Sequence, residues 1–222
     1  MDLERLLRTR LNGLMQEADA RQVTQVAVHA LMHCHRLGVV HRDLKLDNLL
    51  LSQDGSTLKL IDFGLSHSFD PLPGSSGYHI TLLTDCVGSL AYCAPEVLLR
   101  RPYEGRLVDV FALGHCIFTL VSGFFCFVRS DADDNLVGAA RAAQREGRST
   151  VRAIYAEWQR EPSHLSEELL GLLDAMLSLD PATRCNLEDV ASSAWLHPSQ
   201  LQPAQPAQPA QPAQPAQPAQ PA

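Results

Sequence analysis

Four side chains in two short runs carry the chemistry legible in this sequence. Asp43, Lys45 and Asn48 lie in His41-Arg42-Asp43-Leu44-Lys45-Leu46-Asp47-Asn48, and Asp62 opens Asp62-Phe63-Gly64. A carboxylate such as Asp43 suits removal of the proton from an attacking hydroxyl. A lysine two residues on, in an extended loop, points to the same side and places positive charge where negative charge develops. Asn48 offers a neutral amide oxygen and Asp62 a carboxylate, both hard donors of the kind that hold magnesium. Side chains of these types can serve acid–base, electrostatic and hard-metal chemistry.

A third motif, Ala94-Pro95-Glu96, follows in order. In this order and at these distances the motifs resemble the catalytic loop, metal-binding motif and activation-segment end of a eukaryotic protein kinase. The resemblance runs from Met1 to about Pro198 and implies a mainly α fold with a small β-hairpin, the helical C-terminal lobe of that family. It implies phosphoryl transfer from ATP with Mg2+, a protein substrate bearing Ser or Thr, and an upstream activating kinase. Asp43 is then the catalytic base and Lys45 the cation beside the transferring group, while Asn48 and Asp62 are the metal ligands and Leu50 lies under the adenine. Lys45 at its place resembles serine/threonine rather than tyrosine kinases.

The structural residues follow by the same resemblance. His41 and Phe63 match a stacked apolar spine, Asp109 holds the backbone of the His41 loop, and Glu96 and Arg184 form a buried ion pair. Arg42 before the catalytic Asp goes with activation-loop control and needs an anionic partner. Thr84-Asp85-Cys86-Val87-Gly88-Ser89-Leu90-Ala91-Tyr92 is similar to the calcium/calmodulin-dependent and AMP-activated kinase group with one extra residue. A phosphate on Thr84 is the leading candidate partner; counted back from Gly88-Ser89, Asp85 falls at that place instead, as a fixed, weaker mimic. Phe111 stands where Trp is usual and Cys126 where Pro is usual, both volume-tolerable changes. Absent are a Gly-rich phosphate loop, a strand Lys and its helix Glu, so the expectation is a second lobe written from an internal Met. Its lobe-facing apolar surface would be exposed and its ATP binding weak. The alternative is a kinase-like binding or regulatory module without catalysis.

Helical and strand patterns set these residues in place. Between Ala18 and Leu37, Val23, Val26, Ala27, Ala30, Leu31 and Cys34 recur at helical spacing, and Gly38 supplies a stop. Asn48 to Ser52 and Ser56 to Ile61 flank Gln53-Asp54-Gly55 as a hairpin, which carries Asn48 at one end and Asp62 at the other. Val108 to Val121 is apolar on all sides except Asp109, His115 and Thr119, the pattern of a buried helix too short and polar to span a bilayer. Asn135 to Glu146, Ser166 to Leu179 and Asn186 to Trp195 read as further helices, and Asp131 to Asn135 as an acidic turn capping the first of them.

Composition narrows the partners. A 222-residue chain with 45% hydrophobic residues can bury one core. A net charge of −7 leaves no diffuse basic surface, so neither nucleic acid nor anionic membrane is an expected partner. The opening Met1-Asp2-Leu3-Glu4-Arg5 has no signal-type apolar run, and the six cysteines show no CxxC pair, which fits reduced thiols in cytosol or nucleus. His33-Cys34-His35 points its histidines to nearly opposite sides of a helix, an arrangement unsuited to a metal. The domain is read as residues 1–198; from 199 to 222 the chain is a tail dominated by a Gln-Pro-Ala repeat expected to be disordered.

Overall fold

The structure, a computed structural model, describes residues 2–5, 14–52, 57–130 and 135–198. The predicted Gln53-Asp54-Gly55 turn, the acidic segment 131–134 and the repeat tail lie outside the described residues.

The first long helix, α1 (Glu17–Arg36), is present as expected, although Val26 of the expected apolar stripe is exposed. Glu17 and Asp19 sit in its first turn and His33, His35 and Arg36 in its last, each matched to the helix dipole. Ala20, Val23, Ala27, Val28 and Leu31 form its buried face. Gly38 ends it at φ 72°, and a Cβ there would lie 2.3 Å from the Tyr78 ring, so conformation and close approach both require glycine. Glu17 ties this helix to the far end of the domain, accepting from Ser166 N at 2.8 Å, Ser166 Oγ at 2.7 Å and Trp195 Nε1 at 2.8 Å. Burial pushes its carboxyl up, but these bonds and Arg21 outweigh burial and hold it below the usual range.

The expected hairpin is present. β2 (Leu49–Leu51) and β3 (Leu58–Leu60) are antiparallel with Leu49 opposite Leu60. A second sheet was not legible in the sequence: β1 (Val39–Val40) pairs antiparallel with β4 (His67–Ser68). Two-residue strands are too short to show a period. Two helices also escaped the pattern, α2 (Pro95–Leu98) and α5 (Thr150–Glu157). The latter is only eight residues long and is started by Ser149, whose side chain accepts from Arg152 N at 3.2 Å.

The expected buried helix is α3 (Gly105–Ser122), and it packs against α1, α6 (Glu167–Met176) and α7 (Leu187–Ala191). By length and composition it could cross a membrane, but 89% of it is buried inside the protein. α4 (Asn135–Arg145) packs on α5. The helix expected to reach Trp195 ends at Ala191, and the Ser192 hydroxyl beyond it donates to the carbonyls of Glu188 and Asp189 at 2.9 and 3.3 Å.

One pair fixes the join between the first and second halves. Arg184 grips Glu96 through both carboxylate oxygens, at 2.6 and 3.0 Å, with its side chain fully buried. Further bonds run to Ser178 O at 3.0 Å and Leu107 O at 3.1 Å, and the guanidinium lies 4.9 Å from the Phe111 ring centroid. Phe111 thus gives the cation an aromatic face.

His115 in α3 has no such compensation. It is fully buried, ringed by Tyr92, Phe125 and Phe127 with centroids 4.8, 5.5 and 6.5 Å away. Neither ring nitrogen has a hydrogen-bond partner among the described residues. Burial lowers its pKa from 6.5 to about 3.

Two stability predictions follow from these buried polar groups. Replacing Arg184 by Met should cost about 3–5 kcal/mol in urea unfolding, because Glu96 is left charged and unpaired. The double variant Glu96→Leu/Arg184→Met should recover a large part of that loss. His115→Leu should stabilise the domain, with a gain that grows on acidification. The unfolded histidine binds a proton below pH 6.5 and the folded one does not until about pH 3, so His115 withdraws stability as pH falls through that window. The slope is about 1.4 kcal/mol per pH unit. Unfolding curves for both proteins above and below pH 6.5 measure it; an unchanging difference would contradict the buried neutral ring.

Candidate active site

The loop from His41 to Asn48 is held from beneath by one carboxylate. Asp109, fully buried in α3, accepts from His41 N at 2.9 Å and Arg42 N at 2.8 Å. His35 on α1 adds a third contact, Nε2 to the same carboxylate at 2.8 Å. Arg42 meanwhile adopts φ 65°, a left-handed conformation uncommon for a residue with a side chain. Asp62 does the same at φ 63°. Arg42 precedes Asp43 and Asp62 opens Asp62-Phe63-Gly64, so both strained residues sit in the motifs named by the sequence, where such strain is held by surrounding contacts.

Asp43 is buried, and each of its carboxylate oxygens has a donor. Oδ1 accepts from Ser89 N at 2.8 Å, and Oδ2 accepts from Lys45 Nζ at 3.0 Å. Lys45 is extended, at φ −157° and ψ 169°, and so points to the same side as Asp43. Its Nζ also donates to Ser89 Oγ at 2.9 Å. Ser89 reaches Asp43 because Gly88 takes φ 108°, where a Cβ would stand 2.7 Å from Arg42 O.

Asn48 closes the loop, its Nδ2 donating to Asp43 O at 2.8 Å. With the amide nitrogen committed inward, Oδ1 is left as an acceptor for a hard cation. The hairpin carries this position to Asp62: Ile61 N donates to Asn48 O at 3.0 Å, directly before the exposed Asp62. Asp62 receives Gly64 N at 3.3 Å on one oxygen. An amide oxygen and a carboxylate thus stand where the hairpin begins and ends, and both are hard oxygen donors of the type magnesium takes. Leu50, half-buried on β2, forms a bridge with Asp2. His41 and Phe63 meet edge to face, centroids 4.9 Å apart, and His41 Nε2 pairs with Ile61 O at 2.9 Å.

Of the two candidate partners for Arg42, Asp85 is the one in contact. Arg42 Nη1 donates to Asp85 Oδ2 at 3.0 Å and Nε to Leu65 O at 2.7 Å, while Thr84 is exposed. Tyr103 fixes the register: its backbone exchanges two bonds with Leu83, at 2.8 and 2.9 Å, and its hydroxyl donates to Asp85 O at 2.9 Å. Ser89, Tyr103 and His35 were not among the residues singled out by sequence as site residues. Ser89 contributes a backbone N–H, which no residue type advertises. His35 was weighed only as a metal ligand, its partner being remote in sequence.

Comparison with known proteins agrees with this geometry. The protein kinase domain family matches residues 1–196. The serine/threonine-protein kinase ppk25 of Schizosaccharomyces pombe is 36% identical over 184 residues, covering 83% of this chain and 38% of that protein. The human SNF-related serine/threonine-protein kinase is 36% identical over 192 residues, 86% of this chain and 22% of that protein. The probable serine/threonine-protein kinase MARK-A of Dictyostelium discoideum is 37% identical over 185 residues, 83% of this chain and 15% of that protein. The chain thus spans well under half the length of these relatives. With a family match over nearly its whole length and the loop, hairpin and ion pair in family order, the chain belongs to the protein kinase domain family.

Proposed function

We propose that the chain acts as a serine/threonine protein kinase, passing the γ-phosphoryl group of ATP to a Ser or Thr hydroxyl of a protein. The observation that carries this reading is the Asp43–Lys45–Ser89 cluster, in which the base is oriented by two donors. Asp43 takes the proton of the attacking hydroxyl, while Lys45 Nζ, hydrogen-bonded to that carboxylate, sets its charge beside the oxygens of the group in transit. Asn48 and Asp62 would hold Mg2+, which supplies charge neutralisation of the ATP phosphates when bound. Leu50 offers an apolar surface for the adenine. A non-catalytic relative would have no physical need for Asp43, Lys45, Asn48 and Asp62 together. Free cysteines throughout support a reducing compartment, cytosol or nucleus.

Asp85 is proposed as the standing anionic partner of Arg42, so that the segment is set without an upstream kinase acting on Thr84. The Arg42 side chain is 9% exposed and Asp85 63%, so the pair is partly screened and orients more than it stabilises.

Two predictions test this reading. Asp43→Asn and Asp62→Asn should each reduce transfer of γ-labelled phosphate to a serine peptide by at least about a hundredfold, with melting temperatures little changed. The assay is run on the chain and on the longest reading frame containing it; near wild-type transfer by either variant in an active protein refutes the assignment. Thr84→Ala should keep activity within about threefold, whereas Asp85→Asn should lower it by about tenfold, through loss of one charged hydrogen bond. The reverse order would return the role to a phosphate on Thr84.

A further inference from the structure

A second cleft, of about 450 Å³, opens below the end of α2, away from the Asp43 cluster. Pro95 and Leu99 form one wall, Pro102 and Pro181 others, and Arg101 and Arg141 both line it. Leu99 is 46% exposed there. Of the acidic groups in the lining, Glu96 is neutralised by Arg184, while the exposed Asp180, one oxygen of which accepts from Ala182 N at 2.9 Å, keeps its charge, so the two arginines outnumber it. The Arg101 and Arg141 side chains, in contrast, have no hydrogen bond or ion pair among the described residues.

The backbone presents Arg101 deliberately. α2 ends with Arg100 at φ 53°, Arg100 N donating to Val97 O at 3.0 Å and Arg101 N to Glu96 O at 2.9 Å. This left-handed helix end is one that glycine usually occupies. Two guanidinium groups without a partner among the described residues, beside an exposed leucine and three prolines, stand out in a chain of net charge −7.

We propose that this cleft docks an acidic segment of a partner protein, aspartate or glutamate side chains meeting Arg101 and Arg141 and a leucine-type side chain packing on Leu99. The match is one of charge and surface: arginine prefers carboxylates, in forked geometry, and unpaired guanidinium groups at a rim favour association with an acidic partner. Resting on the kinase reading, the partner is a protein substrate, held here at a distance from its phosphoacceptor residue.

Fluorescence anisotropy with a fluorescein-labelled Asp-Asp-Leu-Asp-Asp-Leu-Asp peptide tests the cleft without any need for ATP. The peptide should bind the chain, at least about tenfold more tightly than its Asn-for-Asp counterpart, and weaken as salt is raised. Arg101→Glu/Arg141→Glu should abolish binding, and Arg101→Lys/Arg141→Lys, which keeps the charge but loses the fork, should weaken it by less. Absence of binding, or binding that survives charge reversal, overturns the cleft. In the transfer assay, charge reversal should raise KM for a substrate carrying the acidic stretch by about tenfold and leave kcat, and KM for a short serine peptide, unchanged. An unchanged KM for the long substrate overturns the substrate assignment. Peptide binding in a protein that transfers no phosphate would retire the kinase reading and leave the cleft standing.

Discussion

Everything at the site depends on Asp109 being a charge with nowhere else to go. A carboxylate fully enclosed in the central helix must be compensated in place, and three N–H groups converge on it, from His41, Arg42 and His35. Because two of those donors are backbone, the compensation dictates where the loop runs rather than which side chains it displays. The loop is free to carry reactive residues for that reason. Its left-handed Arg42 is held by contacts made for the sake of the core.

The base is coupled to the segment that follows it by the same logic. Asp43 Oδ1 takes its donor from Ser89, which belongs to the stretch leading into Ala94-Pro95-Glu96. That stretch is pinned at its far end by Glu96 and Arg184 and at its near end by the Leu83–Tyr103 exchange. Orientation of the base is therefore a property of the whole segment. Displacing either anchor removes a hydrogen bond from the carboxylate even where no residue in the loop has changed.

The family motifs located Asp43, Lys45, Asn48 and Asp62 along the chain, and the buried contacts of Asp109, Glu96 and Arg184 are those the resemblance implies. Helices with a clear apolar period, α1 and α3, were legible to within a few residues, because burial of one face or all faces leaves a mark on every turn. Ser89 was not, since its essential group is common to every residue but proline. The choice between Thr84 and Asp85 was not either, because it turns on the register set by Tyr103, a residue far along the chain. The same holds for His35. His115 was visible as a polar interruption of an apolar run, but its lack of partners is a matter of three-dimensional surroundings.

The bonds from Glu17 to Ser166 and Trp195 have a consequence in time as well as space. They join residues 149 and 178 positions apart, so the first long helix cannot find its polar partners until almost the entire domain has been synthesised. Contacts of such separation slow folding, because loop closure must precede any return in stability. A nascent chain leaving the ribosome would carry α1 packed on β1, β3 and α3 but with the part of its face that meets α7 uncovered until the final helices emerge, and chaperone demand during translation should rise accordingly.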